Sequence, residues 1–171
     1  MPRKSRQVET RMVAEWLIQE YPKYHSIIAC PLGRVDEGLM ASVGYKQAIG
    51  LSRPYRPEAD AVVILPGALL LIEAKVWNVV NGLAKLPLYR SLIAVTPELK
   101  EYWNLPIILE LVVGWTNSNL EIMARDAEVR LKIYCPPWLQ DVVSSMHNYW
   151  TSDYQRERQR VLEARKTLGL E

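Results

Sequence analysis

The sequence predicts an α/β fold in which a mixed central β-sheet is flanked by helices. Three observations predict it. Two apolar runs of strand length, residues 61–65 and 68–72, are separated by Pro66-Gly67, the pattern of a β-hairpin. Apolar residues recur at helical spacing near both ends of the chain, around Met12 and Val142. Between these ends, further strand-like runs alternate with helical patterns, as in a sheet with helices on its faces.

Residues 1–6 read as a flexible basic arm. Arg3, Lys4 and Arg6 could reach a phosphate backbone or could simply be solvated. Residues 7–21 read as a helix, with Val8, Met12 and Trp16 four apart, Val13 and Leu17 beside them, and Pro22 as the stop. Residues 25–31 contain Ile27-Ile28-Ala29-Cys30, a short buried strand. Residues 32–56 are broken by Gly33, Gly38, Gly44 and Gly50. Around Leu39, Met40 and Val43 they fit a short helix or an extra strand equally.

The hairpin comes next, and its charges sit at its open end. With Pro66 and Gly67 as the two turn residues, Asp60 lies across from Glu73 and Glu58 across from Lys75. Period-two alternation then puts all four on one face. Pro-Gly suits a type II turn, whereas two-residue hairpin loops prefer types I′ and II′, so a longer loop and a shifted register stay open. Opposed Cβ atoms in such a ribbon are about 5 Å apart, and like charges directly opposite destabilise it. A divalent cation is the simplest remedy, since hard cations take oxygen ligands. The plain alternative is a hairpin that ends in solvated charges.

Beyond Lys75, residues 79–95 read as a helix disturbed at Pro87, or one that starts near it. Residues 99–103 form a short helical piece and 106–114 an apolar strand. Residues 117–126 form a helix capped by Asn117-Ser118-Asn119. Residues 129–135, with Arg130 and Lys132 alternating, read as a half-exposed strand near an edge. After Pro136-Pro137, Leu139, Val142, Val143, Met146, Tyr149 and Trp150 recur at helical spacing and form a face to pack on the sheet. Residues 153–166 alternate in charge, as a solvated extension or a contact with another subunit. Together these give a long C-terminal helix.

The composition sets limits. A chain of 171 residues, 49% hydrophobic, is expected to form one domain, here 1–171, with 153–171 as a helical extension. A net charge of +2 neither demands nor excludes nucleic acid. Cys30 and Cys135 read as buried hydrophobes, and a reducing cytoplasm (the host's, if the gene is a phage's) is the expected location. No apolar run is long enough to cross a membrane, and the basic N-terminus lacks the apolar core of a signal peptide. His25 and His147 are too few to favour a histidine-based mechanism. Trp103, Trp138 and Trp150 could stack on bases or pack inside the protein.

Asp60, a strand-turn-strand, and then Glu73-Ala74-Lys75 resemble the signature of the PD-(D/E)xK nuclease superfamily. Glu58-Ala59-Asp60-Ala61 also resembles that superfamily, although Ala59 stands where the naming proline would be and Pro57 is further upstream. The resemblance implies a restriction-endonuclease-like fold and a Mg²⁺- or Mn²⁺-dependent nuclease acting on DNA. Short relatives of this shape include junction-resolvase-like, phage and restriction endonucleases, so the resemblance implies an endonuclease whose cleavage is structure-selective or phage-associated. Two cysteines cannot bind an iron–sulfur cluster through four thiolates, which sets aside those branches of the superfamily.

It implies further that Asp60, Glu73 and the backbone carbonyl of Ala74 hold the metal. Lys75 would orient or help deprotonate the attacking water. A glutamate on the first helix is expected near the metal. Glu15, in mid-helix, is our choice, with Glu9 and Glu20 as alternatives. Lys85, Tyr89 and Arg90 match in kind the polar or aromatic position on the helix that follows. Arg53, Tyr55 and Arg56 precede the hairpin and could hold a phosphate, or could be an ordinary polar loop. Nucleases of this kind often dimerise, and the C-terminal helix is the expected interface. The competing expectations are a nuclease-fold protein that binds or assembles on DNA without catalysis, and a small globular protein with an incidental acidic hairpin.

Overall fold

The structure, a computed structural model, describes residues 2–146 and 152–169. Its helices are α1 (Pro2–Glu20), α2 (Glu37–Val43), α3 (Tyr45–Ser52), α4 (Val79–Ile93), α5 (Ser118–Asp126), α6 (Pro137–Met146) and α7 (Ser152–Thr167). Its strands are β1 (His25–Pro31), β2 (Glu58–Leu65), β3 (Ala68–Lys75), β4 (Ile107–Val113) and β5 (Val129–Ile133). Short 3₁₀ turns occupy Arg53–Tyr55 and Pro97–Tyr102. The chain divides into two compact units, Met1–Tyr134 and Cys135–Glu171, where the sequence suggests a single domain.

In the first unit the five strands form one mixed sheet in sequence order. β1, β2 and β3 are an antiparallel meander, and β4 and β5 continue it in parallel. Parallel neighbours need a crossover. α4 supplies it between β3 and β4, and α5 between β4 and β5. This is the mixed α/β arrangement expected. β2 and β3 have no solvated face, so both read as continuous apolar runs and pack against helices on either side. On one face Val62, Leu69, Leu71, Leu109 and Leu111 meet Leu83 and Leu86 of α4 in one buried cluster. On the other face α1 buries Met12, Val13, Trp16 and Leu17, and Trp16 reaches β4 through Glu110.

The hairpin has the expected register. Ala61 pairs with Ile72 and Leu65 with Ala68, which leaves Pro66-Gly67 as the loop. Gly67 has φ +80°, the value a type II turn requires at its second central position.

One expectation is corrected, and two alternatives that the sequence left open are decided. Residues 2–6 are not an arm but the first turns of α1; the side chains of 1–6 lie outside the described part. Residues 32–56 hold no extra strand. They form α2, capped by Asp36 through the Leu39 amide, and α3, entered at Gly44 with φ +80°. The helix read across 79–95 is present as α4, Val79–Ile93, and it is continuous through Pro87 rather than starting there.

In the second unit the sequence predicts one long C-terminal helix; the described residues form α6 and α7 within it, residues 147–151 lie outside the described part, and Leu139 is buried. His147, Tyr149 and Trp150, and the side chain of Met146, lie outside the described residues. No helix among the described residues is long and apolar enough to cross a membrane.

Candidate functional site

The site is assembled at the open end of the hairpin, where β2 begins and β3 ends. The β2–β3 ladder closes at Ala61–Ile72. One residue further out, the Asp60 side chain takes over and accepts the Ala74 amide at 2.8 Å. Its carboxylate is thereby fixed beside Lys75. The Lys75 ammonium lies 3.0 Å from Glu73 Oε1 and 3.6 Å from Asp60 Oδ2, and it donates to the Ala74 carbonyl at 2.8 Å. Alternation along β3 puts Glu73 and Lys75 on the α4 side of the sheet, as the sequence implies.

Glu9 joins them from α1. It lies 3.4 Å from Lys75 Nζ and accepts the Val76 amide at 3.2 Å. Lys85 of α4 approaches Glu73 Oε1 at 3.6 Å. A cavity of about 60 Å³ opens beside Asp60, lined by Glu9, Thr10, Val13, Ile28, Ala29 and Glu58 as well. That is room for a few water molecules. Opposite Asp60 in the sheet, Ala29 sits at φ +53°, and Asn78 at the start of α4 at φ +51°. Alanine adopts such an angle only where its surroundings enforce it, whereas asparagine reaches the left-handed region readily.

Glu73 is the unusual member. It is 2% exposed, and its Oε2 is buried with no hydrogen-bond partner. Burial, and next the Asp60 charge, push its pKa up to about 7 against the pull of Lys75 and Lys85. Burial works against the charged form of Lys75 too, but Glu73, Asp60 and Glu9 outweigh it and raise its pKa, so the amine stays protonated. Tyr89 on α4 is raised by burial and by the charges of Glu73 and Asp60.

Several expected site residues lie elsewhere. Glu15 is not the helix glutamate of the site: its carboxylate meets Arg11 at 2.8 Å and the Tyr134 hydroxyl at 3.1 Å. Six residues separate it from Glu9, about 240° around the helix, so the two carboxylates leave α1 on different sides. Glu9 stands in line with Met12, Val13 and Trp16 at i+3, i+4 and i+7, the stripe that faces the sheet. That spacing was the signal for Glu9.

Arg56 is not free to bind a phosphate. It is buried, holds Glu98 through two bonds of 2.6 and 2.7 Å, and donates to the carbonyls of Pro31, Leu32 and Gly33. Arg90 pairs loosely with Glu128 on the surface at 3.7 Å. Arg53 stands at the rim of the cavity, where it donates to the Ala29 carbonyl at 3.1 Å and lies 3.7 Å from Glu58. Tyr55 is 89% exposed.

Among the described residues no three of His, Cys, Asp and Glu are grouped closely enough to hold an ion as they stand. The donor chemistry nonetheless fits a hard cation, which is commonly bound through one or two carboxylates with water completing its shell. Asp60, Glu73 and the Ala74 carbonyl offer only oxygen, and Glu73 Oε2 lacks a partner that a cation would provide.

No protein-family model matches the chain, and no curated protein matches it. Among solved structures it is similar to a repair endonuclease from Pyrococcus abyssi, with 12% identity and a TM-score of 0.47, over 74% of this chain and 47% of that one. It is also similar to a protein of unknown function, with 11% identity and a TM-score of 0.42, over 72% of this chain and 56% of that one. The chain thus spans about half the length of these two neighbours.

Proposed function

We propose that this protein is a metal-dependent nuclease that hydrolyses phosphodiester bonds in DNA. One observation carries the reading. A buried glutamate with an orphaned oxygen sits beside a second carboxylate and a lysine, at the end of an otherwise apolar hairpin. A folded chain gains no stability from such a group, because an unmet buried acceptor costs about 1–3 kcal/mol.

Asp60, Glu73 and the Ala74 carbonyl would hold Mg²⁺ or Mn²⁺, with Glu9 close enough to hold a coordinated water. The bound ion would polarise a phosphoryl oxygen and acidify a water. The chain's own groups would do the rest. Lys75, kept protonated by its three acidic neighbours, favours donating to the attacking water and to the phosphate over removing a proton. Lys85 and Tyr89, on the same side of the sheet, would contact the phosphate next to the scissile bond. Arg53 at the cavity rim would hold the strand that leads to it.

The position of Lys75 favours a second reading, a nuclease-fold protein that binds or assembles on DNA without cutting it. Its ammonium already balances the acids without a metal. One experiment separates the two. Plasmid and branched DNA are incubated with the protein in Mg²⁺, Mn²⁺ or EDTA, alongside Asp60→Ala and Lys75→Ala. Cleavage that needs metal and is lost in both variants supports the nuclease. DNA binding without cleavage, unchanged in both, supports the second reading. Neither cleavage nor binding rejects both.

A further inference from the structure

Gly82 lies in the first turn and a half of α4 and is buried. It has no positive φ to explain it. A glycine inside a helix gives up stability relative to alanine, so it needs another reason. The space around it supplies one. A Cβ built there would stand 2.5 Å from Lys75 Cγ, 3.1 Å from Leu111 Cδ1 and 3.5 Å from Lys75 Cβ. Real Cβ atoms do not approach other heavy atoms as closely as 2.5 Å. The obstructed atom is the root of the Lys75 side chain and not its flexible tip, so it cannot move without turning the whole stem.

We propose that Gly82 is a positioning residue for Lys75, its missing side chain forming the passage through which the lysine stem reaches the acids. The stem passes under the α4 backbone, and Nζ emerges between Glu73, Asp60 and Glu9, with the lysine side chain 13% exposed. A methyl group at position 82 would turn the stem at Cγ and carry Nζ off all three. The functional weight of this rests on the reading of Lys75 as a site residue. The steric claim does not.

The test places Gly82→Ala in three backgrounds and reads thermal unfolding by circular dichroism. The first is the native chain. The second is Glu73→Gln with Lys75→Ala, which removes the stem without stranding the Glu73 charge. The third is Glu73→Gln with Lys75→Met, which removes the charge but keeps Cγ. Gly82→Ala is expected to lower Tm, or abolish folding, in the native and methionine backgrounds. In the alanine background the loss should shrink to no more than what the 3.1 Å approach to Leu111 Cδ1 leaves, set against the better helix propensity of alanine. An equal loss in all three, or none in the native chain, overturns the proposal. So does a loss in the native chain that disappears with methionine.

A cleavage assay adds the functional arm. Where Gly82→Ala folds, its kcat should fall at least tenfold with KM within twofold, and an unchanged kcat would overturn the positioning role. If the native protein cuts no DNA, the nuclease reading fails and the unfolding comparison still judges Gly82.

Discussion

Two glutamates lie buried on adjacent strands of the same sheet, one on each face. Glu110 of β4, 0% exposed, faces α1, and Glu73 of β3, 2% exposed, lies on the α4 side. Both have raised pKa values with burial as the first cause. Their partners differ in kind. Glu110 accepts from the Trp16 indole at 2.9 Å and from the Tyr21 hydroxyl at 2.9 and 3.1 Å, so both its oxygens are met by neutral donors. Glu73 shares one oxygen between two ammonium groups and has no partner on the other. Burial alone therefore does not mark a site. Glu110 closes a network that ties α1 to the sheet, whereas Glu73 is left with capacity for a further ligand.

The largest effect that would sharpen this contrast is on cleavage. Lys75→Ala and Asp60→Ala should each lower kcat about a hundred- to a thousandfold, the usual loss when one charge-stabilising group leaves a site. Glu110→Gln should leave kcat within about twofold, because it keeps the shape and one acceptor. A Glu110→Gln variant as inactive as Lys75→Ala would erase the distinction between the two faces.

The second effect is on stability, and its order is reversed. Glu110→Ala removes the acceptor for two buried donors and leaves a hole, at a cost of about 2–4 kcal/mol. Urea unfolding of the purified protein measures it. Glu73→Gln should cost less than that, or stabilise, since it removes a buried charge with one oxygen unmet. Equal losses in the two variants would break the comparison.

The open end of the hairpin was legible in the sequence because its causes are local. Taking Pro66-Gly67 as a two-residue loop sets the register, which the type II preference of Pro-Gly left open, and period two then brings Asp60, Glu73 and Lys75 together. Arg56 was not legible as a structural residue. Its partner Glu98 is 42 positions away, and no local pattern announces a long-range ion pair. The helices within 32–56 left one usable cue, the Asp36 cap three residues before Leu39, which the glycines around it obscured. Glu9 was legible in principle from its place in the Met12–Trp16 stripe. A carboxylate in line with core residues looks misplaced until the strand end it serves is known.

The pH dependence of stability gives a third effect. The folded pKa of Glu110 is raised above that of the unfolded chain, so its proton stabilises the fold. This contribution is complete below the unfolded value of about 4.3 and is lost as pH climbs through the folded pKa, at about 1.4 kcal/mol for each pH unit between the two values. Glu73 contributes with the same sign, up to about pH 7. The two separate by difference. Glu110→Gln should flatten the fall in Tm above about pH 4.3, and Glu73→Gln should flatten it up to about pH 7. Parallel Tm curves for the native protein and both variants would mean that neither carboxyl titrates as its surroundings require.

The smallest effect separates the two glutamates of α1. Glu15 forms an i,i+4 pair with Arg11 and accepts from the Tyr134 hydroxyl, in a setting where its side chain is 32% exposed. Such a pair contributes about 0.3–0.5 kcal/mol, and salt screens it. Glu15→Gln should therefore change stability by no more than about 0.5 kcal/mol and leave cleavage unaltered. Glu9 is 14% exposed and bound to both Lys75 and the Val76 amide. Glu9→Gln keeps the bond to the amide but loses one of three charges on the lysine, so cleavage should fall about tenfold, the equivalent of about 1.4 kcal/mol. The reverse order of the two variants would return the helix residue of the site to Glu15. It would also mean that α1 is rotated on the sheet by about a third of a turn from the position in which Trp16 meets Glu110.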